Sequence, residues 1–204
     1  MLKVGLTGSI AVGKSYVCDV LRELGCHVLD ADKTSRDVVD RGSEGLHQIV
    51  EEFGHDVLLP TGELDRKKLG AVIFADKKKR TLLNSIIHPL VIDAQDRWIR
   101  TCAENDPHGV AVIDAALMIE SGGYIRFDKL IVVWCSPAIQ LKRLMLRDEL
   151  SETDAQKRIN AQMRQGEKKR YADHLIDTSM GFDDTRKQTV EVFQMLRLPR
   201  LVER

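Results

Sequence analysis

The stretch GLTGSIAVGKSYV, residues 5–17, places Gly8, Gly13, Lys14 and Ser15 in the spacing G-x-x-x-x-G-K-S. The apolar run Leu2 to Leu6 leads into it. Beyond it, Val17, Val20, Leu21 and Leu24 repeat at helical spacing until Gly25, a residue suited to a helix C-cap. The local order is strand, glycine-rich turn, helix. That order suits phosphate binding. The glycines let successive backbone N–H groups wrap phosphate oxygens, a lysine reaches the β- and γ-phosphates, a serine hydroxyl holds Mg²⁺, and a helix N-terminus stands behind them. A merely flexible connector requires neither the lysine nor the flanking strand and helix. The stretch therefore reads as a nucleoside-triphosphate site.

Working outward, the run CHVLDAD (26–32) reads as a second strand ending in Asp30 and Asp32. A helical pattern follows, with Ser43 as N-cap, Leu46, Ile49, Val50 and Phe53 on one face, and Gly54 as stop. VAVI (110–113), LIVVW (130–134) and the weaker HLI (174–176) bring the total to about five strands separated by helical stretches, the pattern of a parallel sheet covered on both faces. The fold class expected is a three-layer α/β core, residues 1–54, 108–138 and 172–204. Between Phe53 and Val110 the strand signal disappears. Pro60-Thr61-Gly62 marks a turn, helices are expected near Asp65 and Asp76, and His88-Pro89 is expected to break the chain before a further helix carrying Val91, Gln95, Trp98 and Cys102. Residues 55–107 thus read as a helical insertion, and the polar helical region 139–171 as a lid over the sheet.

Composition sets further bounds. The chain has 204 residues, with 31 Lys plus Arg against 31 Asp plus Glu, so no net field recruits nucleic acid or an anionic membrane surface. Nothing resembles a signal peptide or an apolar membrane span. Cys18, Cys26, Cys102 and Cys135 show no C-x-x-C or framework spacing and read as reduced, buried thiols, which points to a cytoplasmic protein. A monomer or weak homo-oligomer is expected, with a small-molecule substrate.

Other residues narrow the chemistry. No Asn is followed by Lys, so the base-reading N-K-x-D motif of GTPase switches is absent. A small-molecule kinase remains, and an alcohol acceptor wants a carboxylate to take its proton. Asp32 is the candidate base, while Asp30 and Asp32 are also suited to capping the next helix. Asp114, directly after VAVI, reads either as an acidic partner near Mg²⁺ or as a strand-end turn residue. Arg143 and Arg147 lie four apart, able to close on a triphosphate or to remain solvated in pairs with Asp148 or Glu149. The run KKKR (77–80) reads as a solvated helix start, and His88 as a structural histidine beside Pro89.

Taken together, GLTGSIAVGKS, VLDADK (28–33), HPLV (88–91), DAALMIE (114–120), QLKRLMLRD (140–148) and ADHLIDTS (172–179) resemble the dephospho-coenzyme A kinase family along the whole chain. The resemblance implies a P-loop core, a helical coenzyme A-binding domain and a lid. It implies transfer of the γ-phosphoryl group of ATP, with Mg²⁺, to the ribose 3′-hydroxyl of dephospho-coenzyme A, the last step of coenzyme A biosynthesis. By the same resemblance, Thr7, Gly8, Ala11, Val12, Gly13, Lys14, Ser15 and Tyr16 contact ATP, and Ser15 is the Mg²⁺ residue. Asp32 is the base, Arg143 acts on the phosphates with Arg147 nearby, and His88 serves near the substrate or in holding the helical domain. Asp32, His88 and Asp114 are the candidate substrate contacts. The chain departs from the usual family pattern at Ala116-Leu117-Met118, where Pro-Leu-Leu is usual, and at Thr178, where Asn is common. A nucleotide or nucleoside kinase of the same fold, and a non-catalytic NTP-binding module, are the alternatives.

Overall fold

The computed structural model describes residues 1–198, so residues 199–204 of the expected core segment 172–204 lie outside it. Five strands, β1 (Leu2–Thr7), β2 (His27–Asp30), β3 (Val110–Asp114), β4 (Lys129–Trp134) and β5 (His174–Asp177), form one sheet in the order β2-β3-β1-β4-β5. The β1/β3, β1/β4 and β4/β5 pairs are parallel, with Leu6 opposite Asp114 and Thr7 opposite Val132. Consecutive residues Val4 to Thr7 of β1 are all buried, as are Leu130 to Val133 of β4. Such unbroken burial means that both faces of the sheet are covered, which is why these strands read as continuous apolar runs rather than alternating ones.

Helix α1 (Lys14–Glu23) buries Val17, Cys18, Val20 and Leu21, and it packs beside α9 (Phe182–Arg197). Its end is a Schellman turn. Gly25, at φ 91°, donates to the Arg22 carbonyl at 3.0 Å, and Cys26 N–H donates to that of Leu21 at 2.9 Å. The core of this unit gathers Val4 and Leu6 of β1, Val112 of β3, Ile131 and Val133 of β4, and Val192 and Leu196 of α9. The expected polar region 139–171 resolves into α6 (Pro137–Asp148), α7 (Glu152–Asn160), α8 (Gln165–Lys168) and a 3₁₀ turn at Lys169–Tyr171. Glu149, left-handed at φ 53°, ends α6, and Ser151 caps α7 by accepting from Asp154 N–H at 3.1 Å.

Residues 30–101 form a second compact unit, beginning well ahead of residue 55, where the helical insertion is expected. It contains α2 (Ala31–Asp37), α3 (Glu44–Phe53), α4 (Arg66–Ala75) and most of α5 (Lys77–Asn105). Ser43 caps α3 as expected, and Asp65 and Asp76 accept from the first-turn N–H groups of α4 and α5. Val39, Leu46, Ile49, Leu69 and Leu83 form its own core. One expectation is corrected here: α5 runs unbroken through His88-Pro89. Proline removes the N–H that would bond the carbonyl four residues earlier, yet both residues are exposed, and the helix continues on the apolar contacts of Leu83, Ile86 and Ile87.

Candidate functional site: a phosphate loop between β1 and β3

The chain leaves β1 toward one edge of the sheet and β3 toward the other half, and between such neighbours an open α/β sheet presents a crevice at its carboxyl end. The Gly8–Ser15 loop occupies that position. Gly13 caps α1 in the left-handed region, at φ 91°, and offers no side-chain bond to the helix, so the first-turn N–H groups are left for an anion. Ala11 is also left-handed, at φ 60°. Gly8 is required for space: a Cβ there would lie 2.4 Å from the Val133 carbonyl oxygen and 2.9 Å from Val12 Cγ2. The Tyr16 ring packs edge-on against Phe182, with centroids 4.7 Å apart.

Lys14 and Asp114 meet across the crevice, Nζ to Oδ1 at 3.1 Å, with side chains only 18% and 17% exposed. This contact is Coulombic rather than an aligned hydrogen bond, because the buried Oδ1 has no hydrogen-bond partner among the described residues. Asp114 also acts on Cys18 beneath it: burial first, then the Asp114 carboxylate, pushes that thiol far above the ordinary range. A buried Asp114 oxygen with an unfilled lone pair, in contact with Lys14, and the exposed hydroxyl of the next residue, Ser15, are oxygen donors of the kind that Mg²⁺ takes. Among the described residues no cluster of three or more His, Cys, Asp or Glu side chains could hold a metal by itself. The ion would have to share its coordination with phosphate oxygens.

The loop is anchored from distant segments. Thr178, which is buried, donates its hydroxyl to the Val12 carbonyl at 2.7 Å. Arg143 donates from Nη1 to Thr178 Oγ1 and from Nη2 to the Thr178 carbonyl, both at 2.8 Å. This sets the guanidinium beside Gly13, whose Cβ would lie 3.5 Å from Nη1. Arg147 turns elsewhere, pairing with Asp148 at 2.8 Å, and Asp148 also accepts from Arg158 at 2.7 Å. Thr7 Oγ1 donates to the Ala116 carbonyl at 3.2 Å, and Lys168 Nζ reaches the same carbonyl at 2.6 Å and the Glu120 carboxylate at 2.9 Å. Lys168 is fully buried; its burial pulls the ammonium pKa below the ordinary value, an effect that Glu120 opposes. A cavity of about 610 Å³ lies on the Ser9 side of the loop, bounded by Pro137, Gln140, Gln162 and Arg164.

Of the residues expected from sequence, Thr7, Gly8, Ala11, Val12, Gly13, Lys14, Ser15, Asp114 and Arg143 come together around this loop. Asp30 is the last residue of β2 and the cap of α2, accepting from Asp32 N–H at 2.8 Å and Lys33 N–H at 3.1 Å. Asp32 is therefore an exposed residue in the first turn of α2, not a strand residue. His88, exposed on α5, belongs with Asp32 to the second unit. Sequence reasoning missed Gln140, Gln162, Lys168 and the anchoring role of Thr178. Lys168 sits in the polar run GEKKR, which carries no burial signal.

With this geometry in view, comparison with known proteins is decisive. The dephospho-CoA kinase family matches residues 2–184. The chain belongs to that family. It is 43% identical over 191 residues to the dephospho-CoA kinase of Listeria monocytogenes, covering 92% of this chain and 93% of that one. The structure of the dephospho-CoA kinase from Campylobacter jejuni superposes with a TM-score of 0.73 at 28% identity, covering 96% of each chain. A Thermus thermophilus protein shares the fold with a TM-score of 0.80 at 24% identity, covering 95% of this chain and 96% of that one. As a kinase of the P-loop fold, this member of the dephospho-CoA kinase family uses a nucleotide and a small-molecule substrate. Among the described residues no helix is long and apolar enough to cross a membrane.

Proposed function

We propose that this chain transfers the γ-phosphoryl group of ATP to the ribose 3′-hydroxyl of dephospho-coenzyme A, giving coenzyme A and ADP as the last step of coenzyme A biosynthesis. Family membership over residues 2–184 supports the acceptor. The observation that carries the chemistry is the Lys14–Asp114 contact at the mouth of the Gly8–Ser15 loop. In the reaction, the bond between the γ-phosphorus and the bridging oxygen breaks as the bond to the 3′-oxygen forms. ADP leaves with the electron pair, and the hydroxyl proton passes to Asp32. Lys14 turns from Asp114 toward the β- and γ-phosphate oxygens, and the loop N–H groups hold the remaining phosphate oxygens. Arg143, with two donors already fixed on Thr178, directs its other N–H groups at the charge that develops on the transferring group.

Ser15 and Asp114 would hold Mg²⁺, which supplies charge neutralisation on the β- and γ-phosphates when bound. Tyr16 is assigned to the nucleotide, as is Arg147 once released from its pair with Asp148, and His88 and Asp114 to the neighbourhood of the substrate. Residues 55–107 are assigned to coenzyme A binding and 139–171 to a lid. A monomer or weak homo-oligomer completes the proposal, and its cytoplasmic location is supported by four buried, unpaired cysteines that suit a reducing compartment.

The test is incubation with Mg·ATP and dephospho-coenzyme A, with adenosine and AMP as parallel acceptors and products identified by mass spectrometry. Coenzyme A and ADP are expected from the first mixture alone. Product only from adenosine or AMP would make this a nucleoside or nucleotide kinase, and ATP binding without any product would make it a non-catalytic module.

A further inference from the structure

We infer that Gln140, backed by Gln165, and Gln162 on the other side together grip the phosphate loop by both backbone groups of Ile10 and so hold it in the shape that receives nucleotide. Gln140 Nε2 donates to the Ile10 carbonyl at 2.8 Å, and Ile10 N–H donates to Gln162 Oε1 at 2.7 Å. Gln165 Nε2 donates to Gln140 Oε1 at 2.7 Å, while Cys135 N–H at the end of β4 donates to Gln165 Oε1 at 3.0 Å. A backbone N–H only donates and a carbonyl only accepts, so the three backbone partners fix which end of each amide faces which way. The polarity of the grip is thereby determined at every link.

The grip aims the loop. In a trans peptide the carbonyl and the following N–H point in opposite directions. Drawing the Ile10 carbonyl onto Gln140 therefore turns the Ala11 N–H away from the scaffold, and drawing the Val12 carbonyl onto Thr178 does the same for the Gly13 N–H. Ala11 sits between these two anchors in the left-handed region, at φ 60°, a conformation that a residue with a Cβ keeps only when its surroundings over-determine it. Gln140 is 2% exposed, so its amide is a buried group with fixed partners rather than a surface side chain that happens to reach the loop. The three glutamines are positioning residues. They act through Ile10 and touch no reacting atom.

The inference rests on the proposed nucleotide site but not on the acceptor, and its test needs no acceptor for the primary readout. Gln140→Glu replaces a donor to the Ile10 carbonyl by an acceptor, which breaks the grip. Gln162→Glu keeps the acceptor that Ile10 N–H uses. Both add the same charge beside the same residue, but Gln140 is buried and Gln162 half-buried, so the uncharged Gln140→Met variant separates lost hydrogen-bond polarity from the cost of burying a carboxylate. By titration calorimetry, Gln140→Glu is expected to raise the Kd for Mg·ATP about 10-fold relative to Gln162→Glu, as the competent fraction of the free loop falls to about one tenth. At saturating ATP the kcat of Gln140→Glu is expected within about 3-fold of wild type, because bound nucleotide restores the loop. A loss of general packing would instead lower the melting temperature and leave Kd unchanged in the folded fraction. Should Gln140→Glu fail to fold, Gln140→Met, uncharged and of similar length, is expected to show the same rise in Kd. Equal Kd values for the Gln140 and Gln162 variants, or a wild-type Kd for Gln140→Met, would overturn the inference. Failure of the wild type to phosphorylate dephospho-coenzyme A would overturn the acceptor assignment alone.

Discussion

Replacing Gly8 by alanine asks whether the phosphate loop is fixed by its close approach to the sheet. No left-handed φ is required at Gly8, so the backbone conformation is open to alanine, and space alone opposes it. The added Cβ would lie 2.4 Å from the Val133 carbonyl oxygen and 2.9 Å from Val12 Cγ2. Close carbon–oxygen contacts fall near ~3.3 Å, so the loop and β4 must separate by roughly 0.9 Å, and a strand carbonyl cannot rotate away as a side chain can. Overpacking of this kind costs ~1–3 kcal/mol, offset by ~0.4–1 kcal/mol from the stiffer unfolded chain. The balance is a net loss of about 1–2 kcal/mol, which for a chain of this size lowers the melting temperature by about 2–8 °C. If the loop yields instead of the sheet, the strain emerges as a weaker Kd for Mg·ATP at near-normal stability. Thermal unfolding by circular dichroism and ATP titration together capture both routes. Gly70→Ala is the paired control: it lies inside α4 with nothing within 4 Å of the added Cβ, and it is expected to gain ~0.5–1 kcal/mol. A Gly8→Ala protein that melts at or above the wild-type temperature and binds ATP normally would refute the reasoning.

Asp32→Asn is expected to lower kcat by ~10²–10⁴-fold while leaving the Kd for ATP within about 2-fold; full turnover in steady-state kinetics would remove Asp32 from the role of base. Lys14→Met is expected to reduce kcat/KM by at least ~10²-fold and to weaken Mg·ATP binding, since it removes the one cation contacting Asp114 among the described residues; an unchanged kcat/KM would undo the phosphate-site assignment. The His174 pKa is held below its ordinary value of 6.5, by burial first and by Lys129 nearby, against the attraction of Asp173. The unfolded chain therefore takes up this proton more readily: the contribution of neutral His174 is complete above 6.5 and declines as the pH falls from there through the depressed folded value. Denaturant unfolding across that window is expected to show a smaller acid loss for His174→Asn than for wild type, and an identical pH dependence would rule this contribution out.

What the sequence revealed about the fold and the site divides along the distance over which each interaction acts. The β1–loop–α1 unit was legible because its determinants are adjacent: an apolar run, two glycines, a lysine, and a helical stripe closed by Gly25. The same holds for the caps at Ser43, Asp65 and Asp76, each a side chain bonding N–H groups two or three residues on. Residues 26–32 read as one strand through Asp32 because no glycine or proline interrupts them, whereas the Asp30 carboxylate captures the next N–H groups and starts a helix immediately. Pro89 was expected to end a helix because proline usually does so, yet its exposed position leaves the packed face of α5 intact. Arg143 and Arg147 could not be told apart by spacing. What separates them is Thr178, 35 residues away, which takes both terminal nitrogens of Arg143, while Asp148 is the neighbour that takes Arg147.

The motif and its supports accordingly do different things. Gly8, Gly13, Lys14 and Ser15 determine which atoms can meet a phosphate, and a pattern of that kind survives inspection of a short window. The direction in which those atoms point is set by carbonyls at Ile10 and Val12, whose partners Gln140 and Thr178 lie 130 and 166 residues away along the chain. Neither partner is charged, and neither belongs to a periodic stripe that marks it as special. Lys168 extends the same logic to the loop after β3: by reaching Ala116 and Glu120 it fixes the backbone that follows Asp114, and Thr7 binds the same Ala116 carbonyl from β1. The end of β1 at Thr7 and the loop after Asp114 of β3 are thus tied together at the Ala116 carbonyl, which the segment carrying Lys168 also binds. Displacement of that segment would loosen the backbone after Asp114 and the grip on Ile10 at once, because Gln162, Gln165 and Lys168 lie within seven consecutive residues, the last two on α8. If the grip on Ile10 holds the loop ready for nucleotide as inferred above, a shift of residues 162–168 is expected to change ATP affinity through these hydrogen bonds alone, with no contact between that segment and the nucleotide.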